Sequence, residues 1–133
     1  MSTLFHKYED PTIRAFFDPA KVDRFVQLLG KPNRRQDALK TFDHAIAFDP
    51  QWAKSVDSKI DIAGVLKKKG SGLEAYLIGT SKDQCILPIV EAIRCVEYES
   101  GIVVCIPGEL AYYCGEDGER RFVLERRPST RHA

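Results

Sequence analysis

The chain has no excess of charge of one sign, no long apolar run and no closely spaced pair of cysteines. Its formal net charge is +1, so no overall attraction to nucleic acid or to an anionic membrane is expected. No stretch approaches the roughly 20 apolar residues of a membrane-spanning helix, and the first residues lack a basic flank followed by an apolar segment. We therefore predict a cytoplasmic protein without a membrane partner.

The cysteines lie nine or ten residues apart, at Cys85, Cys95, Cys105 and Cys114. Structural zinc sites usually take ligands in pairs about two to four residues apart, because one tight turn then directs two sulfurs at one ion. The three histidines are also isolated, so neither a metal nor another cofactor is predicted. A chain of 133 residues can fold without disulfides, and the cysteines are expected to be reduced residues of the core.

The first clear helix is predicted after Asp18 and Pro19. The carboxylate of Asp18 can accept hydrogen bonds from free backbone N–H groups, and proline suits the first helical position. Apolar residues then fall on one helical face, at Val22, Phe25, Val26 and Leu29. Gly30 and Pro32 are expected to end this helix.

Two further helices are predicted on either side of Asp49 and Pro50. The second begins near Asn33, and its apolar stripe is Ala38, Leu39, Phe42, Ala45 and Ile46. Proline disfavours helical geometry in the residue before it, so this helix ends there, and Asp49 can cap a third helix. The third stripe is Trp52, Ala53, Val56, Ile60 and Ala63, with Gly70 at the end.

The segment DALKTFDHAIAFDPQWAKSV, residues 37–56, resembles the junction inside a tetratricopeptide repeat array. The matching residues are Ala38, Phe42, Ala45, Ile46, Asp49, Pro50 and Ala53. The similarity covers one helix pair, about residues 34–70, although Ala53 to Gly70 is about three residues too long and no second repeat follows. The resemblance implies a protein-binding helical hairpin without enzymatic chemistry.

The second half of the chain is predicted to form a β-sheet. Strands are predicted at residues 73–80, 102–107, 109–114 and 120–126, with a helix over 87–100. The predicted fold is α+β, with N-terminal helices packed on a four-stranded, mostly antiparallel sheet in the order ααα-βαβββ. The helix permits a right-handed parallel crossover between the first two strands, and the last three form a meander.

We predict one domain over residues 1–133. It divides into a helical half at 1–70, a β-α-β-β-β half at 73–126 and a flexible tail at 127–133. The sequence pattern changes from helical spacing to strand-like runs at the glycine-rich segment of residues 70–72.

No motif in the sequence supports a catalytic site. A cysteine nucleophile needs a base and a group that orients the base, and nothing in the sequence brings His44 and Cys114 together. The segment KKKGSGLEAY leads from a helix into a strand, whereas a phosphate loop leads from a strand into a helix. An enzyme is therefore not favoured, and a small cysteine-dependent enzyme is kept as a second alternative.

Aromatic and basic residues supply the candidate binding residues. Trp52, Arg34 and Arg35 are predicted to contact a protein partner, as are Tyr112 and Tyr113, one of which should face outward from the sheet. An open sheet edge can also recruit a strand from a partner or from a second copy. We predict a small intracellular binding or regulatory domain that acts through protein–protein contacts, with a homodimer through a sheet edge as one form.

The first alternative is a nucleic-acid-binding module. It would use the basic last strand and the tail, with Arg120, Arg121, Arg126 and Arg127 beside an outward tyrosine. Acidic residues such as Glu125 lie beside these arginines, so ordinary cross-strand pairing is favoured and nucleic acid is not the expected partner.

Overall fold

The computed structural model describes residues 3–44, 48–57, 59–115 and 120–127. Within these ranges the helices are α1 (Asp10–Phe16), α2 (Val22–Leu29), α3 (Arg35–His44), α4 (Ile62–Lys68) and α5 (Ile89–Glu99). A π-helical turn, Phe5–Glu9, leads into α1, and a 3-10 turn, Pro19–Lys21, leads into α2. The strands are β1 (Ala53–Ser55), β2 (Glu74–Ile78), β3 (Ile86–Pro88), β4 (Gly101–Ile106), β5 (Leu110–Cys114) and β6 (Arg121–Glu125).

All six strands of the described chain form one antiparallel sheet in the order β1-β6-β5-β4-β2-β3. The α+β class and the meander of the last three strands are confirmed. The prediction of four strands is wrong, because the short strands β1 and β3 are added at the two edges. The parallel crossover is also wrong: β3 reverses the chain before α5, and β4 therefore returns antiparallel to β2.

Helices cover both faces of the sheet. On one face, α1, α2 and α3 pack over strand residues that include Tyr76 and Ile78. On the other face, α4 and α5 pack over Ala75 and Leu77, the alternate residues of the same strand. Both faces of β2 are thus buried, as predicted, whereas a single helical layer was expected.

The predicted cap at Asp18 is present, but it caps the 3-10 turn Pro19–Lys21, and α2 begins only at Val22. The side chain of Asp18 accepts a hydrogen bond from the backbone N–H of Ala20 at 3.0 Å. Phe25 and Leu29 are buried in the core, and Gly30 follows the last residue of α2. Local capping explains the turn, and helical spacing explains α2.

The helix predicted after Pro50 is wrong. The carboxylate of Asp49 accepts from the backbone N–H of Gln51 at 3.1 Å, which forms a turn, and β1 follows at Ala53. α4 begins only at Ile62, where Asp61 supplies the cap. β6 provides β1 with a pairing partner that is distant in sequence, and this tertiary contact outweighs the helical spacing. The predicted helical half therefore contributes a strand to the sheet.

Some predicted features of the second helix lie outside the described residues. This holds for Ala45 and Ile46 and for the side chains of Phe42 and His44. Residues 128–133, most of the predicted tail, also lie outside them.

Candidate protein-binding surface at the sheet edge

β1 lies at the edge of the sheet and pairs on one side with β6. The carbonyl of Trp52 accepts from the N–H of Glu125 at 3.0 Å, just before the strand. Just after it, the N–H of Val56 donates to the carbonyl of Arg121 at 2.9 Å. In an antiparallel pair, successive residues direct their main-chain groups alternately toward and away from the neighbouring strand. The groups that point toward β6 therefore belong to every second residue, beginning with Trp52.

The alternation leaves a short open edge. The main chain of Lys54, which is opposite Val123, faces β6, whereas the N–H and C=O groups of Ala53 and Ser55 point away from it. No described residue makes a hydrogen bond to these outward groups. β1 thus offers two donors and two acceptors that a further strand could use.

A groove of about 340 Å³ runs beside this edge. Apolar side chains that flank β1, or that come from β6, α4 and the connecting loop, form much of its wall: Trp52, Val56, Ile60, Val65 and Val123. Ile60 is 40% exposed, which leaves apolar surface open to solvent. The groove could receive a side chain of a segment that pairs with β1.

The ring of Trp52 is held by a cation–π contact. The guanidinium of Arg126 lies 4.5 Å from the ring centroid. The same guanidinium donates to the carbonyl of Ala15 at 3.1 Å, so the contact is tied to the end of α1. Trp52 is half-buried, and part of its ring stays available at the groove.

The basic side chains of Lys69 and Arg127 are paired with the carboxylates of Glu125 and Glu109. Glu125 accepts from Lys69 at 2.7 Å and from Arg127 at 3.0 Å, and Arg127 also donates to the carbonyl of Lys69. Burial alone would raise the pKa of Glu125, but these hydrogen bonds outweigh it and lower the pKa. Lys54 is exposed and forms no ion pair with any residue that the structure describes. It is thus an unmatched cation at the edge.

Of the other predicted partner-binding residues, Arg34 is exposed in the turn just before α3, and the rest are buried. Arg35 is 6% exposed, Tyr112 0% and Tyr113 4%. The prediction that one of the two tyrosines faces outward is wrong, because α4 and α5 cover the second face of the sheet. Tyr112 donates to Glu97 at 3.0 Å.

The arginines of the nucleic-acid alternative are largely engaged within the chain. Arg121 pairs with Glu97 at 2.6 Å, Arg126 covers Trp52, and Arg127 belongs to the Lys69–Glu125 cluster. Arg120 is exposed. Arg127, the first residue of the predicted tail, is held by the folded chain.

None of the four cysteines, all within the described residues, takes part in a disulfide, and their burial differs. Cys114 is buried, Cys95 and Cys105 are partly buried, and only Cys85 is exposed, which corrects the expectation that all four are core residues. Burial raises the pKa of Cys105 to about 11, and burial with the charges of Glu99 and Glu91 raises that of Cys95. Among the described residues, no three metal-ligating side chains converge.

Sequence reasoning missed a buried ionic network between the N-terminal helices and the β2–β3 turn. Arg35 donates to the two carboxylate oxygens of Glu9 at 2.8 and 2.9 Å and to those of Asp83 at 2.6 and 2.9 Å. It also donates to the carbonyl of Leu29 at 2.9 Å. Tyr76 donates to Glu9, which is fully buried. One guanidinium thus joins α2, α3, the turn before α1 and the β2–β3 turn.

The network explains why Arg35 is charged inside the protein. Burial alone would lower its pKa, but hydrogen bonds with Asp83 and Glu9 outweigh burial and raise it. Burial and the hydrogen bond to Glu9 also raise the pKa of Tyr76. Every N–H group of the Arg35 guanidinium is bonded within the chain, so the network fixes how the elements that it joins are oriented. A sequence signal existed: Arg35 precedes Ala38 and Leu39 by three and four residues and so lies on the apolar stripe of α3.

Comparison of the chain with protein-family models, curated proteins and solved structures finds no match. In the part of the chain that the structure describes, no helix combines the length and the apolar character needed to cross a bilayer.

Proposed function

We propose that the protein is a non-catalytic binding domain that takes up an extended segment of a protein partner along β1. One observation supports this most directly: the outward N–H and C=O groups of Ala53 and Ser55 lie beside a partly apolar groove. Main-chain hydrogen bonds would supply affinity, and the groove would select a side chain of the segment. Trp52, held under Arg126, would form the apolar anchor of the contact.

The other functions considered have less support. A nucleic-acid surface needs free cations, whereas Arg121, Arg126 and Arg127 are occupied within the chain. A cysteine enzyme needs a lowered thiol pKa, whereas those of Cys95 and Cys105 are raised. The helix-pair resemblance and the cytoplasmic location stay predictions.

The opposite edge of the sheet offers a matched control. At β3, the N–H of Leu77 donates to the carbonyl of Cys85, and the N–H of Ile89 donates to the carbonyl of Leu73. By the same alternation, the N–H of Ile86 points away from β2. Proline at either edge position removes only an outward N–H, a position where edge strands tolerate proline.

The test compares Ser55→Pro with Ile86→Pro. Proteins retained from a lysate of the organism that encodes the chain are identified for the unmodified protein and both variants, and the retained partner is then purified. We expect it to bind Ile86→Pro normally and Ser55→Pro at least tenfold more weakly, and to protect the amides of Ala53 and Ser55 from hydrogen exchange. Equal binding by the two variants, or no partner that depends on Ser55, would contradict the proposal.

A further inference from the structure

We infer that the strand taken up at β1 comes from a different protein and places a carboxylate opposite Lys54. This inference rests on the proposed function and adds the chemistry of the partner. It follows from the register that the open edge allows, and from the charges around that edge.

A second copy of the chain is a poor occupant. In a two-fold dimer that continues the sheet, the two β1 strands run antiparallel. All the outward groups are used only when Ala53 pairs with Ser55 of the second copy and Ser55 with its Ala53. That register sets Lys54 directly opposite Lys54, at a Cβ separation of about 4.5–5.5 Å, where like charges repel.

A homodimer with a shifted register is also unfavourable at this edge. A shift by two residues is the smallest that keeps the outward groups facing one another, because the hydrogen-bonding period of a strand is two. It pairs Ala53 with Ala53 or Ser55 with Ser55, and the other residue then lies opposite a position outside β1. The lysines separate, but part of the strand pairing is lost.

The surrounding charges favour an acidic partner. The carboxylate of Glu125 is already shared by Lys69 and Arg127, so a basic side chain on an added strand would find no free carboxylate there. Lys54, in contrast, is exposed and has no ion-pair partner among the described residues. An aspartate or glutamate opposite it would complete an attractive cross-strand pair.

Ile60 also lies in the wall of a second groove of about 340 Å³, in which Glu97 is paired with Arg121 and Asp61 caps α4. Arg94 lines the second groove, is exposed and forms no ion pair with another described residue. The occupant that fits is an extended segment in which acidic residues alternate with apolar ones.

Two synthetic peptides, TVTETVT and TVTKTVT, test the inference with defined probes. Each is titrated into the isotopically labelled full chain, and the amide signals of Ala53 and Ser55 are followed. We expect the acidic peptide to bind about fivefold more tightly than the basic one, and this preference to shrink as salt is added. Lys54→Glu should reverse the preference, and Ser55→Pro should abolish binding of both. Lys31→Glu, a matched charge change between α2 and α3, should leave the preference unchanged.

The outcomes separate the two proposals. If neither peptide perturbs Ala53 or Ser55, strand addition itself fails. If both bind equally, or if Lys54→Glu does not reverse the preference, the acidic partner is excluded while strand addition stands. Sedimentation of the unmodified chain supplies the remaining test. A dimer that Ser55→Pro dissociates would overturn the inference of a different protein, and a monomer supports it.

Discussion

The two faces of the sheet are held by different interactions. The face under α1, α2 and α3 contains a buried ionic network in which Arg35 joins Glu9 and Asp83. The face under α4 and α5 has an apolar centre, and its polar contact, Tyr112 with Glu97, lies at a partly exposed rim. Apolar packing tolerates small shifts, whereas a buried guanidinium fixes the distance and direction of each group that it binds.

Because of this difference, we expect the two faces to lose stability in different ways when a side chain is removed. Removing one partner of a buried ion pair leaves the other charge without compensation, which costs more than the lost contact itself. Removing an apolar side chain leaves a cavity whose cost depends on how far its neighbours relax. The predictions below run from the largest of these effects to the smallest.

The largest loss is expected for Arg35→Ala. The carboxylate of Glu9, fully buried, would lose its cationic partner, and Asp83 would lose two hydrogen bonds. We expect the free energy of unfolding to fall by about 3–5 kcal/mol, measured by urea denaturation. The adjacent Arg34→Ala, at an exposed position, should change it by less than about 0.5 kcal/mol. Similar values for the two variants would show that the network does not stabilise its face.

Leu66→Ala should cause a somewhat smaller loss. Leu66 of α4 is fully buried on the apolar face. We expect a decrease of about 2–4 kcal/mol in the free energy of unfolding, from lost burial and a residual cavity. Amide exchange should quicken mainly in α4 and α5, while α1 to α3 keep their protection. Uniform loss of protection would show that the two faces unfold together.

The smallest differences are expected for the two buried tyrosines. Tyr76→Phe removes the hydroxyl that donates to buried Glu9, and it should lower the free energy of unfolding by about 1–3 kcal/mol at neutral pH. Tyr112→Phe leaves Glu97 paired with Arg121, and should cost less than about 1 kcal/mol. An equal decrease in the free energy of unfolding for the two variants would show that the two faces do not differ in how much their tyrosine hydrogen bonds contribute.

The pH dependence of stability above pH 9 also distinguishes the two tyrosines from ordinary exposed ones. Burial and Glu9 raise the pKa of Tyr76 above its ordinary value of 10.0, and burial and Glu97 raise that of Tyr112. Above pH 10 the unfolded chain releases these protons while the folded chain holds them, so the free energy of unfolding falls as pH rises. Each phenylalanine variant removes one such group and should show a shallower fall between pH 9 and pH 11.

Elements that local chemistry determines could be predicted from the sequence. The Asp18 cap places the turn that leads into α2, the spacing from Val22 to Leu29 places α2 itself, and the β-branched run at 102–104 places β4. The strands β1 and β3 could not be predicted, because each has three residues and lies in a run that also fits helical spacing. Only their pairing with β6 and β2 decides their conformation.

Among the predicted partner-binding residues, Trp52 is a half-buried aromatic residue that lies at the open edge. Arg34 and Arg35 could not be told apart without noticing that the second lies on the apolar stripe of α3. Tyr112 and Tyr113 were misplaced because the helices on the second face were not foreseen.

The pairing of β1 with β6 also sets an order of events during synthesis. β6 is the last strand along the described chain, so β1 leaves the ribosome well before the strand that it pairs with. Such non-local pairing is slow to form. In the nascent protein, β1 therefore has no strand to pair with until residues 121–125 have emerged.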